Sequence, residues 1–140
     1  MQSQNFKNHK QFAPKSFYAA LLMGLIVFTV AIFQLISSTD KTVWFLLAIQ
    51  SIGLVIIGYF SRSLALKAQD RAIRAEENLR HFVLTSRVLP KQLSIHQIIA
   101  LRFASDEELE SLTKLTTDKN LSAREIKELI VNWRADYYRV

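Results

Sequence analysis

The chain has 140 residues, 50% of them hydrophobic, and a formal net charge of +6; this is room for one small domain, with an apolar content high for a soluble one. Without a single cysteine, disulfides and thiolate chemistry are excluded. All three glycines, Gly24, Gly53 and Gly58, precede residue 60, so the last 80 residues hold none and cannot form a Gly-rich phosphate loop.

Residues 1–16 form a basic segment carrying Lys7, Lys10 and Lys15. Pro14 near its end suits the start of a helix. Residues 17–36, FYAALLMGLIVFTVAIFQLI, then run for twenty positions without a charge. Residues 43–60, VWFLLAIQSIGLVIIGYF, add eighteen more. As helices these reach roughly 30 and 27 Å, close to the hydrocarbon thickness of a bilayer. Two buried core helices of that kind need a soluble shell far larger than this chain supplies. The first run is too long for the apolar part of a signal peptide, and no A-x-A pattern follows it.

The linker 37–42 is short enough to make the two spans an antiparallel hairpin, folding about position 39.5, with both chain ends on one side. Charge says which side. The N-terminal segment and residues 61–89 each carry a net +3, whereas the linker is neutral and residues 90–140 balance eight basic against eight acidic groups. The positive-inside rule therefore places both termini in the cytoplasm. Within the spans, Ala20 and Gly24 form a small-xxx-small pair suited to close helix packing. Gln50 lies near mid-membrane and level with Thr29, so a Gln50–Thr29 hydrogen bond is the expected intramembrane polar contact.

Residues 61–86 hold no helix breaker and are rich in Ala, Leu, Arg and Glu. They read as a stem helix continuous with the second span. Ala65, Ala68, Ala72, Ala75, Leu79 and Phe82 follow a heptad and make a candidate helix-packing interface. Lys67, Asp70, Arg71, Arg74, Asn78 and His81 lie opposite, as a solvated face. Asp70–Arg74 and Glu76–Arg80 supply i,i+4 ion pairs. Alanine buries little area, but it lets two helix axes come close. The seam can serve a second copy, the chain's own C-terminal region or another protein's helix, or it can lie on the membrane surface. Alanine inserts weakly there, which disfavours the last reading.

After Pro90, three serines open amphipathic runs with capping-box spacing: Ser94 with Gln97, Ser105 with Glu108, and Ser122 with Glu125. Helices are expected over about 95–104, 106–117 and 123–138. The third carries Ile126, Leu129, Ile130, Trp133 and Tyr137 on one face. Trp133, Tyr137 and Tyr138 are expected in the C-terminal core or on a partner surface. The expected fold is thus an all-α membrane protein: a transmembrane hairpin over 17–60, a stem over 61–89 and a compact three-helix unit over 90–140.

No enzymatic or metal chemistry is legible. His9, His81 and His96 are isolated from one another and lack metal-ligand spacing. Asp106, Glu107, Glu108 and Glu110 are explained by the preference of a helix N-terminus for negative charge. No serine has a base partner in a recognisable motif. No catalytic residue, cofactor, metal or small-molecule substrate is therefore expected.

The stretch LPKQLSIHQIIALRF, 89–103, faintly resembles the helix-turn-helix of bacterial sigma factors. The neutral charge of residues 90–140 and the acidic DEELE run speak against DNA binding, which requires several phosphate neutralisations. QIIALRFASDEEL at 97–109 and IKELIVNWRADYYRV at 126–140 resemble an uncharacterised family of small bacterial two-span membrane proteins. That resemblance covers nearly the whole chain. It implies the hairpin-plus-cytosolic-helices architecture and a bacterial inner membrane, and it brings no activity. The expected function is a membrane-anchored interaction or scaffold protein, contacting lipid and either a protein partner or further copies of itself. An accessory subunit of a larger inner-membrane complex is the alternative, and a membrane-tethered DNA-binding regulator comes third.

Overall fold

Pro14 stands at the N-cap of the first helix, with its carbonyl accepting the Phe17 N–H at 2.9 Å. The structure is a computed structural model that describes residues 4–6, 8 and 12–137. Five α-helices account for its regular structure: α1 Lys15–Ser37, α2 Lys41–Thr85, α3 Ile95–Leu101, α4 Asp106–Lys119 and α5 Ala123–Leu129. Two of them, α1 and the 45-residue α2, are long and apolar enough to cross a membrane. The chain divides into two compact units, Phe12–Leu66 and the described residues of Met1–Gln11 with Lys67–Arg139.

In the first unit, α1 and the start of α2 pair antiparallel across a three-residue link. The link is closed by Asp40, whose carboxylate accepts the Thr42 N–H at 3.1 Å at the head of α2. A Cβ added at Gly24 would meet Val55 Cγ2 at 3.2 Å, and the Arg62 guanidinium sits 5.4 Å from the Phe17 ring centroid. Both pairs are symmetric about position 39.5, the expected fold point. Ala31, Ala48 and Ser51 are buried between the helices. Most of the other apolar side chains are exposed, Leu22, Leu25 and Ile57 each by about three-fifths.

The second unit has a conventional core. Leu89, Leu93, Ile98, Leu101, Phe103, Leu109, Leu112, Ile126 and Ile130 are all buried together, and Trp133 stacks against Phe103 at 5.2 Å between ring centroids. Burying each such side chain contributes about 1.5–3 kcal/mol. Two capping boxes set the helix starts as expected. Ser94 and Gln97 exchange hydrogen bonds at the head of α3, and Ser122 and Glu125 do so at the head of α5. Bonds from the Ser122 side chain and backbone hold the Glu125 carboxyl below the usual carboxylate range.

Two local expectations fail, each for a tertiary reason. The Ser105–Glu108 box does not form. The Glu108 carboxylate instead accepts the backbone N–H groups of Val131 and Asn132, at 3.3 and 3.0 Å, and the Asn132 side-chain amide at 3.1 Å. That capture also ends α5 at Leu129 rather than near 138: Ile130 turns extended, and the following residues run as a strap. The strap is bonded to residues 103–105 through Arg134 N–H to Phe103 O at 2.8 Å and Ser105 N–H to Asn132 O at 3.1 Å. The stem helix continues the second span as one helix, α2, and ends at Thr85, one residue short of the expected 86. Ser86 takes a left-handed φ of 58° and donates its N–H to Phe82 O. The buried His81 Nδ1 and Arg87 O lie 2.7 Å apart across the turn.

Candidate functional site

Beyond residue 67, α2 buries the face opposite to the one expected. Ile73, Glu77 and His81 are buried, at four-residue steps. Assigning His81 and Asn78 to a solvated face is thereby corrected: Asn78 is half-buried and accepts the Leu89 N–H at 2.9 Å. Arg80 is the polar centre of this face. Its guanidinium holds Glu77 at 2.9 Å, Asp106 at 2.6 Å and the Ala104 carbonyl at 2.8 Å. Arg134 approaches the other Glu77 oxygen at 3.5 Å. The expected Glu76–Arg80 and Asp70–Arg74 pairs do not form, because Arg80 finds better-buried partners and Arg74 none among the described residues.

The opposite face stays open. Ala68, Ala72, Ala75, Leu79 and Phe82 are exposed, Leu79 by 63% and Phe82 by 50%, while Ala65 is half-buried. The seam is therefore not what holds α2 to the chain's own C-terminal helices. Its alanines and its two bulky residues form one uncovered stripe, wide enough for a second helix to approach closely.

In the paired helices, Gln50 and Thr29 are not joined as expected. The Thr29 hydroxyl donates into its own helix, to the Leu25 carbonyl at 2.9 Å, and both residues face outward. Gln50 opens into an apolar groove of about 560 Å³ that also takes in Ala20, Gly24, Leu54 and Gly58. A Cβ at Gly58 would meet nothing within 4 Å, so the groove is unfilled there. The seam between the helices is drawn instead from Ala31, Ala48 and Ser51, the last bonded through its hydroxyl to the Ala48 carbonyl at 2.8 Å.

At the C-terminal end, Trp133 joins the core, Tyr137 is exposed by 53%, and Tyr138 lies outside the described residues. Residues that sequence reasoning passed over hold this end. Arg102, buried, pairs with Asp136 at 3.0 Å and lies 4.8 Å over the Phe103 ring. Gln4 exchanges two bonds with the Asp136 backbone, accepting its N–H at 2.8 Å and donating to its carbonyl at 3.3 Å. Residues near the two ends of the described chain therefore touch. No spacing rule finds a contact between residues 132 positions apart.

Among the described residues, no group of three or more His, Cys, Asp or Glu side chains could hold a metal ion. What the structure presents is a set of surfaces: the open stripe of α2, the groove beside Gln50, and a second groove at the junction of α2 and α3.

The chain belongs to a family of unknown function, DUF6526, whose model matches residues 1–140. Comparison with curated proteins and with solved structures found no match.

Since Thr29 and Gln50 have separate surroundings, Gln50→Leu and Thr29→Val should have additive effects on unfolding from a membrane mimetic, to within about 0.5 kcal/mol. A coupling clearly above that, measured in a double-mutant cycle, would restore the direct bond.

Proposed function

We propose that this protein is a membrane-anchored interaction protein of the bacterial inner membrane, with both termini in the cytoplasm and no catalytic role. Its two spans anchor a helical C-terminal unit, and the open stripe of α2 offers the contact surface for a second copy or another protein's helix. The observation that carries the reading is the burial pattern of α2 after residue 67. Ile73, Glu77 and His81 are buried within the chain's own fold, and the seam from Ala68 to Phe82 is left exposed.

The membrane part of the reading is supported by exposure. Apolar side chains cover the outward faces of α1 and the first part of α2, Met23, Phe33, Ile36 and Tyr59 each by about two-thirds or more. Water tolerates no continuous apolar surface of that extent on a monomer, whereas lipid does. The contact of Gln4 with Asp136 supports a common side for both termini, since a bilayer cannot separate two residues that touch.

A second reading, an accessory subunit of a larger membrane complex, is favoured by Gln50. Its amide has no hydrogen-bond partner among the described residues and faces an apolar groove with room at Gly58. A partner helix there would satisfy a polar group that lipid cannot. The DNA-binding alternative draws no comparable support, since residues 90–140 balance eight basic against eight acidic groups.

Topology is tested with single cysteines at Ser38 and Ser122 and a membrane-impermeant thiol reagent on intact cells whose outer barrier is permeabilised. Ser38→Cys should label and Ser122→Cys should not; equal labelling contradicts the hairpin. The contact surface is tested by Ala72→Leu. If a helix packs closely on the stripe, overpacking should weaken that association by about 1–3 kcal/mol. The readout is the mass of the particle extracted in mild detergent. An unchanged mass and affinity would remove the seam from the proposal.

A further inference from the structure

Between α2 and the segment leading into α3 lies a groove of about 430 Å³, a size typical of small-ligand sites. Its apolar wall is formed by Leu89, Leu93 and Ile98, with Ala75 from α2. Around it stand Arg71, Arg74 and Lys91, and no acidic side chain lines it. None of these three cations makes an ion pair with a described residue. Asn78 adds a further donor. Its oxygen is committed to the Leu89 N–H, which leaves the amide NH₂ available at the same groove.

This arrangement is electrostatically incomplete. Arg71 and Arg74 are helix neighbours at i,i+3, where like charges repel. Asp70, which could relieve Arg74 at i,i+4, does not bond to it. Two guanidinium groups, an ammonium and an amide NH₂ thus line one groove, from one helix and one loop, and each of these groups is a donor only. Their combined charge exceeds what a single carboxylate neutralises. It suits a phosphate monoester, which carries nearly two negative charges and accepts bidentate bonds from arginine.

We infer that this groove binds a phosphate monoester carried on a short apolar moiety, with Arg71, Arg74, Lys91 and the Asn78 amide on the phosphate and the Leu89–Leu93–Ile98 wall on the apolar part. The inference is distinct from the proposed interaction role: the groove shares only Ala75 with the seam and nothing with the groove at Gln50. The same chemistry can come from a lipid headgroup such as that of phosphatidic acid, or from a soluble phosphorylated molecule.

The test uses the full chain in phosphatidylcholine nanodiscs and isothermal titration with butyl phosphate, with inorganic phosphate for comparison. Butyl phosphate should bind saturably and more tightly than phosphate, because only it reaches the apolar wall. Arg74→Gln and Lys91→Gln, both at exposed positions, should each raise the Kd roughly tenfold. Lys67→Gln, also exposed on α2 but away from the groove, should leave it unchanged. Repeating the titration with phosphatidic acid in the nanodisc separates the sources: loss of the butyl phosphate heat identifies the headgroup as ligand, and its persistence identifies a soluble one. Either result upholds the site. The inference is overturned if butyl phosphate gives no saturable heat in phosphatidylcholine, or if Lys67→Gln weakens binding as much as Arg74→Gln does.

Discussion

One guanidinium organises the C-terminal half of this protein. Arg80 is only 11% exposed at its side chain and is bonded to Glu77 on its own helix, to Asp106 at the head of α4 and to the carbonyl of Ala104. A carboxylate as buried as Glu77 is costly to hold in the charged state without a partner, and losing one member of such a pair typically costs about 3–5 kcal/mol. The planar fork reaches three acceptors on three segments, which an ammonium cannot do with the same geometry. Ala104 is also the residue that bridges to Trp133 in the strap. The polar clamp thus connects α2, the turn between α3 and α4, and the strap that closes the chain.

That docking decides which surfaces remain available. A helix has one circumference to divide, and α2 commits Ile73, Glu77 and His81 to the interior. The seam of Ala68, Ala72, Ala75, Leu79 and Phe82 is left outside, and Arg71 and Arg74 are left beside the segment that enters α3. The same clamp brings the strap within reach of Glu108, whose carboxylate holds two backbone amides there. From the strap, Asp136 reaches both Arg102 and Gln4.

What could be read in the sequence is what depends on neighbours in the chain. The two long apolar helices follow from uncharged runs of membrane length, and the boxes at Ser94 and Ser122 close within four residues. Ser105 has the same spacing, but its Glu108 is claimed by Val131 and Asn132, more than twenty positions away. The helical spacing of Ile126, Ile130, Trp133 and Tyr137 is real, yet the extended strap still seats Trp133 on Phe103, so periodicity alone could not tell the two apart. The face of α2 was misjudged for a different reason. A stripe of alanines ending in Leu79 and Phe82 looks more buried than a row reading Ile73, Glu77, His81, and that order is reversed by Arg134 reaching Glu77 from the strap and by the turn at Arg87 closing over His81. Gln50 and Thr29 share a level in the helix pair, but level does not fix the direction in which a side chain points, and Thr29 satisfies itself on Leu25.

The central claim is that the Arg80 clamp, rather than the alanine seam, holds α2 to the C-terminal helices. Amide hydrogen exchange on the full chain in detergent, comparing the native protein with Arg80→Ala and Arg80→Lys, tests it most directly. With Arg80→Ala, the amides of residues 103–109 and 130–134 should lose protection while those of α1 keep theirs, and Arg80→Lys should restore protection only in part. Unchanged protection across 103–109 and 130–134 in Arg80→Ala would contradict the account.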